Sequence, residues 1–224
     1  MNAVIFDLGS VVFEWEPRRF VARALEINRI FDDVDHWLMA IFQDQATSCD
    51  WVAFDRGVAS IEFLSAQIAG RLSQKDPACG RTVGQVRQVL DSIAYQLVPI
   101  TATANLLHDL HNLQSCNLFF LSNMPKEFAR LLQDRFPESF DVFSLGVFSY
   151  EFGYLKPENE IYMAAAERFR LNRFNRVIFV DDQPLNIEAA ERLRWIGVQF
   201  TNACFVRQQL KQIIGSWSEV QPNA

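Results

Sequence analysis

The chain has 224 residues, of which 50% are hydrophobic and 21% charged, a composition typical of a globular protein with one sizeable core. The net charge is −6 at pH 7 and the two signs are interspersed, which argues against nucleic acid or a membrane surface as partner. No apolar run approaches the ~20 residues of a membrane span and no basic leader opens the chain, so we predict a cytoplasmic protein. We also expect either a monomer or a homodimer. The cysteines lie far apart without a C-x-x-C pair, which predicts reduced thiols.

The first predicted strand is the apolar run of residues 3–6, and it ends at Asp7, followed by Leu8 and Gly9. A carboxylate at the carboxyl end of a strand, before a glycine that permits a tight turn, lies where open α/β sheets bind ligands. Asp7 is therefore a candidate nucleophile. An aspartate in this position also commonly caps a turn or a helix.

A helical insert is predicted between residues 17 and 96, because apolar residues recur there at helical spacing and no convincing strand interrupts them. Pro17 suits the first turn of a helix, and Asp55-Arg56-Gly57 and Asp76-Pro77 are turn-like breaks. We predict that residues 16–96 form a helical cap domain and that residues 1–15 and 97–224 form an α/β core.

Strands and helices alternate after the insert. Strands are predicted at 118–121, within 142–148, and at 177–180 and 198–201. Helices are predicted at 101–113, 128–135, 161–169, 187–193 and 206–214, and residues 218–224 are predicted to fray. This alternation predicts a doubly wound parallel sheet that helices cover on both faces.

Polar side chains follow four of the predicted strands, and the fold gathers them at one edge of the sheet. They are Asp7, Ser122 with Asn123, Lys156, and Asp181 with Asp182. This set supplies a carboxylate nucleophile, a hydroxyl, backbone N–H groups at a helix start, a lysine and two carboxylates suited to a divalent cation. Taken singly, Ser122 and the aspartate pair are also typical helix caps, and Lys156 a typical surface charge.

Four stretches resemble, in order, the motifs of the haloacid dehalogenase superfamily. They are Ile5-Phe6-Asp7-Leu8-Gly9-Ser10-Val11, Phe119-Phe120-Leu121-Ser122-Asn123, Gly153-Tyr154-Leu155-Lys156-Pro157 and Val180-Asp181-Asp182-Gln183-Pro184-Leu185-Asn186. The Asp-Leu-Gly form of the first motif is similar to that of a subgroup which includes a bacterial α-D-glucose-1-phosphatase. The resemblance implies a Rossmann-like core with a cap inserted after the first strand.

The resemblance also implies a mechanism. Asp7 attacks phosphorus and becomes a phosphoaspartate, which water then hydrolyses. Asp7, the backbone carbonyl of Gly9 and Asp182 hold Mg²⁺, with Asp181 bound to the ion directly or through water. The ion screens the repulsion between two anions and stabilises charge on the transferred group.

Three further residues are assigned to the phosphate by the same resemblance. Ser122 and the Asn123 N–H bind phosphate oxygens, and Lys156 neutralises charge on both Asp7 and the phosphate. The most specific hypothesis is a Mg²⁺-dependent phosphatase for a small phosphorylated metabolite, such as a sugar phosphate.

The sequence departs from the resemblance at Gly9, where most phosphatases of the superfamily carry a second aspartate that acts as general acid and base. Three interpretations are open: a good leaving group that needs little protonation, a proton from Glu14 or a cap carboxylate, or a slow or inactive enzyme. Two alternative functions also remain. They are a 2-haloacid dehalogenase, in which Asp7 displaces halide without a metal, and a non-catalytic phospho-ligand binding protein.

The predicted cap is expected to select the substrate. Its aromatic side chains are candidates for stacking on a sugar or lining an apolar pocket, and its arginines for binding a second anionic group. The candidates are Trp15, Trp37, Trp51, Arg18, Arg19, Arg23 and Arg56.

Overall fold

The computed structural model describes residues 1–42, 50–75, 80–113 and 115–215 of the chain. The Asp76-Pro77 break, Cys49, Cys79 and the predicted fraying of residues 218–224 lie outside these ranges. Cys116 is buried and Cys204 is exposed, and both are free thiols. None of the helices in the described ranges combines the length and the apolar character that crossing a lipid bilayer requires.

A sheet of five parallel strands forms the centre of the fold, in the spatial order β3-β2-β1-β4-β5. The strands are β1 (Asn2–Phe6), β2 (Cys116–Ser122), β3 (Leu145–Phe148), β4 (Arg176–Asp181) and β5 (Ile196–Gln199). β1 is central and completely buried, with Phe6 paired to Phe120 on one side and to Val180 on the other. The predicted parallel α/β sheet is confirmed.

Six helices of the described ranges lie between β1 and β2, and we refer to the first five as the inserted helices. They are α1 (Pro17–Ile27), α2 (Val34–Phe42), α3 (Asp50–Asp55), α4 (Ile61–Lys75) and α5 (Val83–Ala94). α5 packs against α4 and α1, and α2 packs against α1 and α4. α1 begins at Pro17 and α3 ends at Asp55, as the proline and the turn residues predicted.

The remaining helices cover the two faces of the sheet. They are α6 (Thr101–His111), α7 (Lys126–Arg135), α8 (Pro137–Asp141), α9 (Ser149–Phe152), α10 (Asn159–Arg168), α11 (Pro184–Arg192) and α12 (Ala203–Ile214). Val4 and Phe6 of β1 pack into the core shared with α6, α12 and the inserted helices, whereas Ala3 and Ile5 pack into the core under α10 and α11. Successive residues of β1 therefore serve opposite faces, as its alternating side chains require.

The turn after α3 is attached to segments that follow the carboxyl end of β3. Arg56 Nη1 donates hydrogen bonds to the carbonyl oxygen of Gly153 at 3.0 Å and to Glu158 Oε2 at 2.8 Å. Ser149 Oγ donates to the carbonyl oxygen of Asp55 at 2.6 Å. The inserted helices also share one hydrophobic core with the sheet. The division into a cap of residues 16–96 and a core of residues 1–15 and 97–224 stays a prediction.

Two local predictions differ from the structure. The last strand was predicted at residues 198–201 but spans Ile196–Gln199, because its position is set by contact with α11 rather than by its own apolar residues. A Cβ at Gly197 would lie 2.5 Å from Ile187 Cγ2, so only glycine permits this approach. The short helices α8 and α9 were not predicted, since five and four residues are too few to show a helical period.

Candidate active site

Three carboxylates meet at the carboxyl edge of the sheet. Asp7 follows β1, Asp181 is the last residue of β4, and Asp182 follows it. Because β1 and β4 are paired in register up to Phe6 and Val180, these residues emerge side by side. One oxygen from each carboxylate lies within 4.8 Å of one oxygen from each of the others. Carboxylate oxygens grouped in this way are the donors that Mg²⁺ prefers, so the residues fit the predicted ion.

Lys156 reaches the same point from the segment after α9. Its Nζ lies 2.8 Å from Asp7 Oδ1 and 2.6 Å from Asp181 Oδ2. The lysine side chain is 1% exposed, and the side chains of Asp7 and Asp181 are 11% and 0% exposed. Asp7 Oδ1 also accepts the Leu8 backbone N–H at 2.7 Å. Lys156 and the Leu8 N–H therefore both contact Asp7 Oδ1, and neither of them contacts Asp7 Oδ2.

Burial and crowding of like charges perturb these groups. Burial raises the pKa of Asp7 to about 7, and Asp181 and Asp182 add to the rise while Lys156 opposes it. Burial by itself would lower the pKa of Lys156, but Asp181 and Asp7 outweigh it and raise that pKa above its ordinary value. Burial, followed by Asp181, likewise raises the pKa of Asp182. Three carboxylates share one ammonium group here, and this excess of negative charge favours a bound cation.

The two adjacent aspartates have different surroundings. Asp181 is fully buried, and besides Lys156 it accepts the Gln183 backbone N–H at 2.8 Å and the Asn186 amide at 3.0 and 3.1 Å. Asp182 is half-buried, lines the cavity described below and accepts the Gln183 side-chain amide at 2.7 Å. Asp182 is thus the member of the pair that lines the cavity, and which of the two aspartates binds the predicted ion stays a prediction.

Asn123 contacts the main chain of Lys156 from both sides. Its Oδ1 accepts the Lys156 backbone N–H at 2.8 Å, and its Nδ2 donates to the Lys156 carbonyl oxygen at 2.9 Å. The amide side chain therefore positions the lysine, whereas the sequence predicted a contact of the Asn123 backbone N–H with phosphate and no role for its side chain. The Asn186 contact with Asp181 was not predicted at all.

Ser122 ends β2 with a buried hydroxyl. Its Oγ makes no hydrogen bond to any group in the described part of the chain. A buried hydroxyl without a partner costs free energy and is rare. Because Ser122, in contrast to Asn123, does not line the cavity, its contact with phosphate stays a prediction.

A cavity of about 1160 Å³ opens above the carboxylates. Its polar end includes Asp7, Gly9, Asn123, Lys156 and Asp182, which are five of the seven predicted site residues. The structure thus brings these predicted residues to one place.

The walls of the cavity are largely apolar. Trp15 and Trp51 line it as predicted, but the third candidate, Trp37, is fully buried in the core and donates its indole N–H to Asp32 at 2.9 Å. Glu14 does not line the cavity and forms an ion pair with Arg19.

Asp55, the last residue of α3, also lines this cavity. Burial raises its pKa to about 7, and a hydrogen bond from Trp51 opposes the rise only in part. The sequence indicated Asp55 as part of a turn, but nothing in the pattern placed its carboxyl group in the cavity of Asp7.

The chain is similar to known proteins in sequence and in fold. The sesquiterpene phosphatase astK of Aspergillus oryzae is 23% identical over 215 residues, which cover 96% of this chain and 97% of the relative. The haloacid dehalogenase family enzyme bt-2542 of Bacteroides thetaiotaomicron, solved with magnesium and inorganic phosphate, has a TM-score of 0.66 at 20% identity and covers 89% of this chain and 93% of its own. L-2-haloacid dehalogenase of Xanthobacter autotrophicus, with chloropropionic acid covalently bound, has a TM-score of 0.64 at 14% identity and covers 97% and 84%.

The two solved structures are less than 25% identical to this chain and show the fold alone. Residues 1–194 match the sequence profile of a wider group, described as haloacid dehalogenase-like hydrolases. This match spans most of the 224 residues and includes all four motifs at the edge of the sheet. The chain therefore belongs to the haloacid dehalogenase-like hydrolase family.

Proposed function

We propose that this hydrolase is a Mg²⁺-dependent phosphatase that acts on a small phosphorylated metabolite through a phosphoaspartate on Asp7. The observation that carries the proposal is the meeting of Asp7, Asp182 and Lys156 at the carboxyl edge of the sheet. Two of the similar proteins support the same reaction. They are the sesquiterpene phosphatase astK and the enzyme bt-2542, which was solved with magnesium and inorganic phosphate.

The chain's own residues account for the chemistry. An oxygen of Asp7 attacks phosphorus, the ester P–O bond breaks, and the leaving oxygen takes a proton from an acid in the cavity or from water to depart as the alcohol. Lys156 holds Asp7 Oδ1 in place and offsets negative charge as the phosphoryl group approaches. Water then attacks phosphorus in the phosphoaspartate, which releases inorganic phosphate and restores Asp7.

Asp7, the Gly9 carbonyl and Asp182 are the groups that would hold Mg²⁺. The bound ion screens the repulsion between the carboxylate nucleophile and the phosphate. Asp181 has its oxygens occupied by Lys156, Asn186 and a backbone N–H, so we assign it the role of holding Lys156 rather than the ion.

A panel of phosphate esters tests the proposal, with phosphate release measured in Mg²⁺ and in chelator. We expect release only with Mg²⁺, and we expect Asp7→Asn to abolish it while the thermal unfolding temperature stays close to that of the wild type. The matched control is Asp134→Asn, at an exposed position of α7, which should leave turnover unchanged. Near-normal activity of Asp7→Asn, or activity insensitive to chelator, would show that the proposal is wrong.

The same samples separate the two alternative functions. Halide release from 2-chloropropionate in chelator would identify a dehalogenase. Binding of inorganic phosphate without turnover of any ester would identify a phospho-ligand binding protein. The position of Asp182 on the cavity wall favours the phosphatase, because a metal-free displacement needs no second carboxylate there.

A further inference from the structure

We propose that the substrate of this site is the phosphate monoester of an apolar alcohol. The inference rests on the proposed phosphatase function and adds the identity of the organic group. It comes from the cavity wall opposite the charged residues, where the inserted helices contribute mainly aromatic and aliphatic side chains.

The wall is built around Trp51. Its ring stacks on Trp15 with centroids 6.1 Å apart, and it lies 4.7 Å from Phe42 and 6.0 Å from Phe128. Trp15, Phe42 and Trp51 are each only partly buried, and all four rings line the cavity. Rings that pack against one another in this way form a firm apolar surface that a hydrocarbon group can cover.

Two exposed aliphatic side chains line the cavity as well. They are Met39 of α2 and Leu185 of α11, and each is 64% exposed. Exposed aliphatic side chains are ordinary when they are scattered, but these two line the same cavity as the aromatic rings. A bound hydrocarbon group would remove them from water, which is the main favourable term in apolar recognition.

The charges around the cavity argue against a substrate that carries a second anionic group besides the phosphate. Lys156 is the one cationic side chain that lines the cavity among the described residues, and it is already paired with Asp7 and Asp181. The four arginines considered for a second anion are each paired with a carboxylate instead, and none of them lines the cavity. They are Arg18 with Asp35, Arg19 with Glu14, Arg23 with Glu26 and Arg56 with Glu158.

The inserted helices offer few partners to a polyhydroxylated group. Asp55 is the one side chain with a carboxyl, amide or hydroxyl group that their described residues contribute to the lining, and the other polar side chains of the cavity follow the strands of the sheet. Sugar recognition needs several convergent donors and acceptors. The wall formed by the inserted helices therefore favours an apolar alcohol over the sugar that the sequence suggested.

The test is a series of n-alkyl monophosphates from butyl to decyl, used below their micelle concentrations with Mg²⁺, with glycerol phosphate and glucose 1-phosphate as polar references. We expect kcat/KM to rise about 3- to 4-fold for each added methylene until the cavity is filled. Met39→Gln and Leu185→Gln should each lower kcat/KM for decyl phosphate by about 3-fold or more. The control Met163→Gln, at a 57% exposed methionine that does not line the cavity, should change nothing.

The same assays distinguish failure of the apolar-substrate proposal from failure of the phosphatase proposal. Turnover of the polar esters without a rise along the alkyl series would leave a phosphatase and overturn the apolar substrate. Absence of turnover for every ester would overturn the phosphatase. In that case, titration calorimetry of Asp7→Asn with alkyl phosphates still tests the apolar wall. We expect the affinity to grow with the length of the alkyl chain. An affinity that stays constant along the series would refute an apolar site.

A different observation supports a second inference: we infer that Asp55 protonates the departing alcohol. Gly9 has no side chain to do so, and an aliphatic alkoxide is a poor leaving group without a proton. Asp55 lines the cavity of Asp7, and its main chain is held to the α/β part through Ser149. The carboxyl proton would pass to the ester oxygen as the P–O bond breaks, and the carboxylate would later take a proton from the attacking water.

Single-turnover cleavage by Asp55→Asn tests this role. We expect the rate for an alkyl phosphate to fall by about 10²- to 10⁴-fold, and the rate for p-nitrophenyl phosphate, whose leaving group departs without a proton, to fall by less than about 10-fold. An equal loss for both esters would indicate a merely structural residue. No loss for either would show that Asp55 takes no part.

Discussion

The ion pairs of Lys156 lead to a prediction about stability that is independent of turnover. Lys156→Gln removes the ammonium group that compensates Asp7 and Asp181, and it leaves both carboxylates at a buried site. Breaking a buried ion pair by removing one partner typically costs ~3–5 kcal/mol. Uptake of a proton by Asp7 relieves part of this cost, so we expect about 3 kcal/mol, or roughly a hundredfold in the unfolding equilibrium constant.

Urea unfolding in chelator measures this change, because chelator removes any contribution from a bound cation. The matched control is Lys126→Gln, at an exposed position of α7, which should alter the free energy of unfolding by no more than ~0.5 kcal/mol. Adding Asp181→Asn to Lys156→Gln should cost less than the sum of the single changes, with a coupling of roughly 0.5–3 kcal/mol. A loss below ~1 kcal/mol for Lys156→Gln, or strict additivity, would refute the assignment of a buried triad.

Three further substitutions test packing and positioning by thermal unfolding. In Gly146→Ala the new Cβ would lie 1.9 Å from the Phe120 ring, so we expect a loss of ~1–3 kcal/mol; an unchanged stability would contradict this packing. In Gly57→Ala the residue keeps φ near +72° and meets the Tyr150 carbonyl oxygen at 2.9 Å, so we expect a loss above ~1 kcal/mol. Asn186→Ala removes a donor from the buried Asp181 and should cost ~1.5–3 kcal/mol.

Much of the fold was predictable because its information is local. A buried parallel strand is a short apolar run, and each such run here is followed by a helix with its own apolar stripe, so the alternation predicted the sheet. The strand β5 is the exception to this local prediction. β5 has one buried residue, Val198, and its register depends on how closely Gly197 approaches α11, which the sequence does not show.

The residues of the site also divide into those that local sequence information predicts and those that depend on tertiary contacts. Asp7 and Asp182 were predictable because parallel strands deliver their ends to one edge of a sheet. The contacts of Asn123 with the Lys156 main chain, and of Asn186 with Asp181, join residues 33 and 5 positions apart through side-chain geometry alone. The sequence likewise did not predict which aromatic side chains form the wall. At helical spacing Trp37 belongs to the core, whereas Trp51 lines the cavity.

The different roles of Asp181 and Asp182 follow from the end of β4. Asp181 is the last residue of β4 and Asp182 lies just beyond the strand, so the two adjacent side chains have different surroundings although one oxygen of each lies within 4.8 Å of the other. Asp181 is enclosed with Lys156 and Asn186, where its charge is fully compensated by donors. Asp182 lines the cavity, where the Gln183 side-chain amide donates to it. Under the proposed function, the adjacent pair therefore provides one carboxylate to fix the lysine and one to attract a cation, which a single aspartate at either position would not achieve.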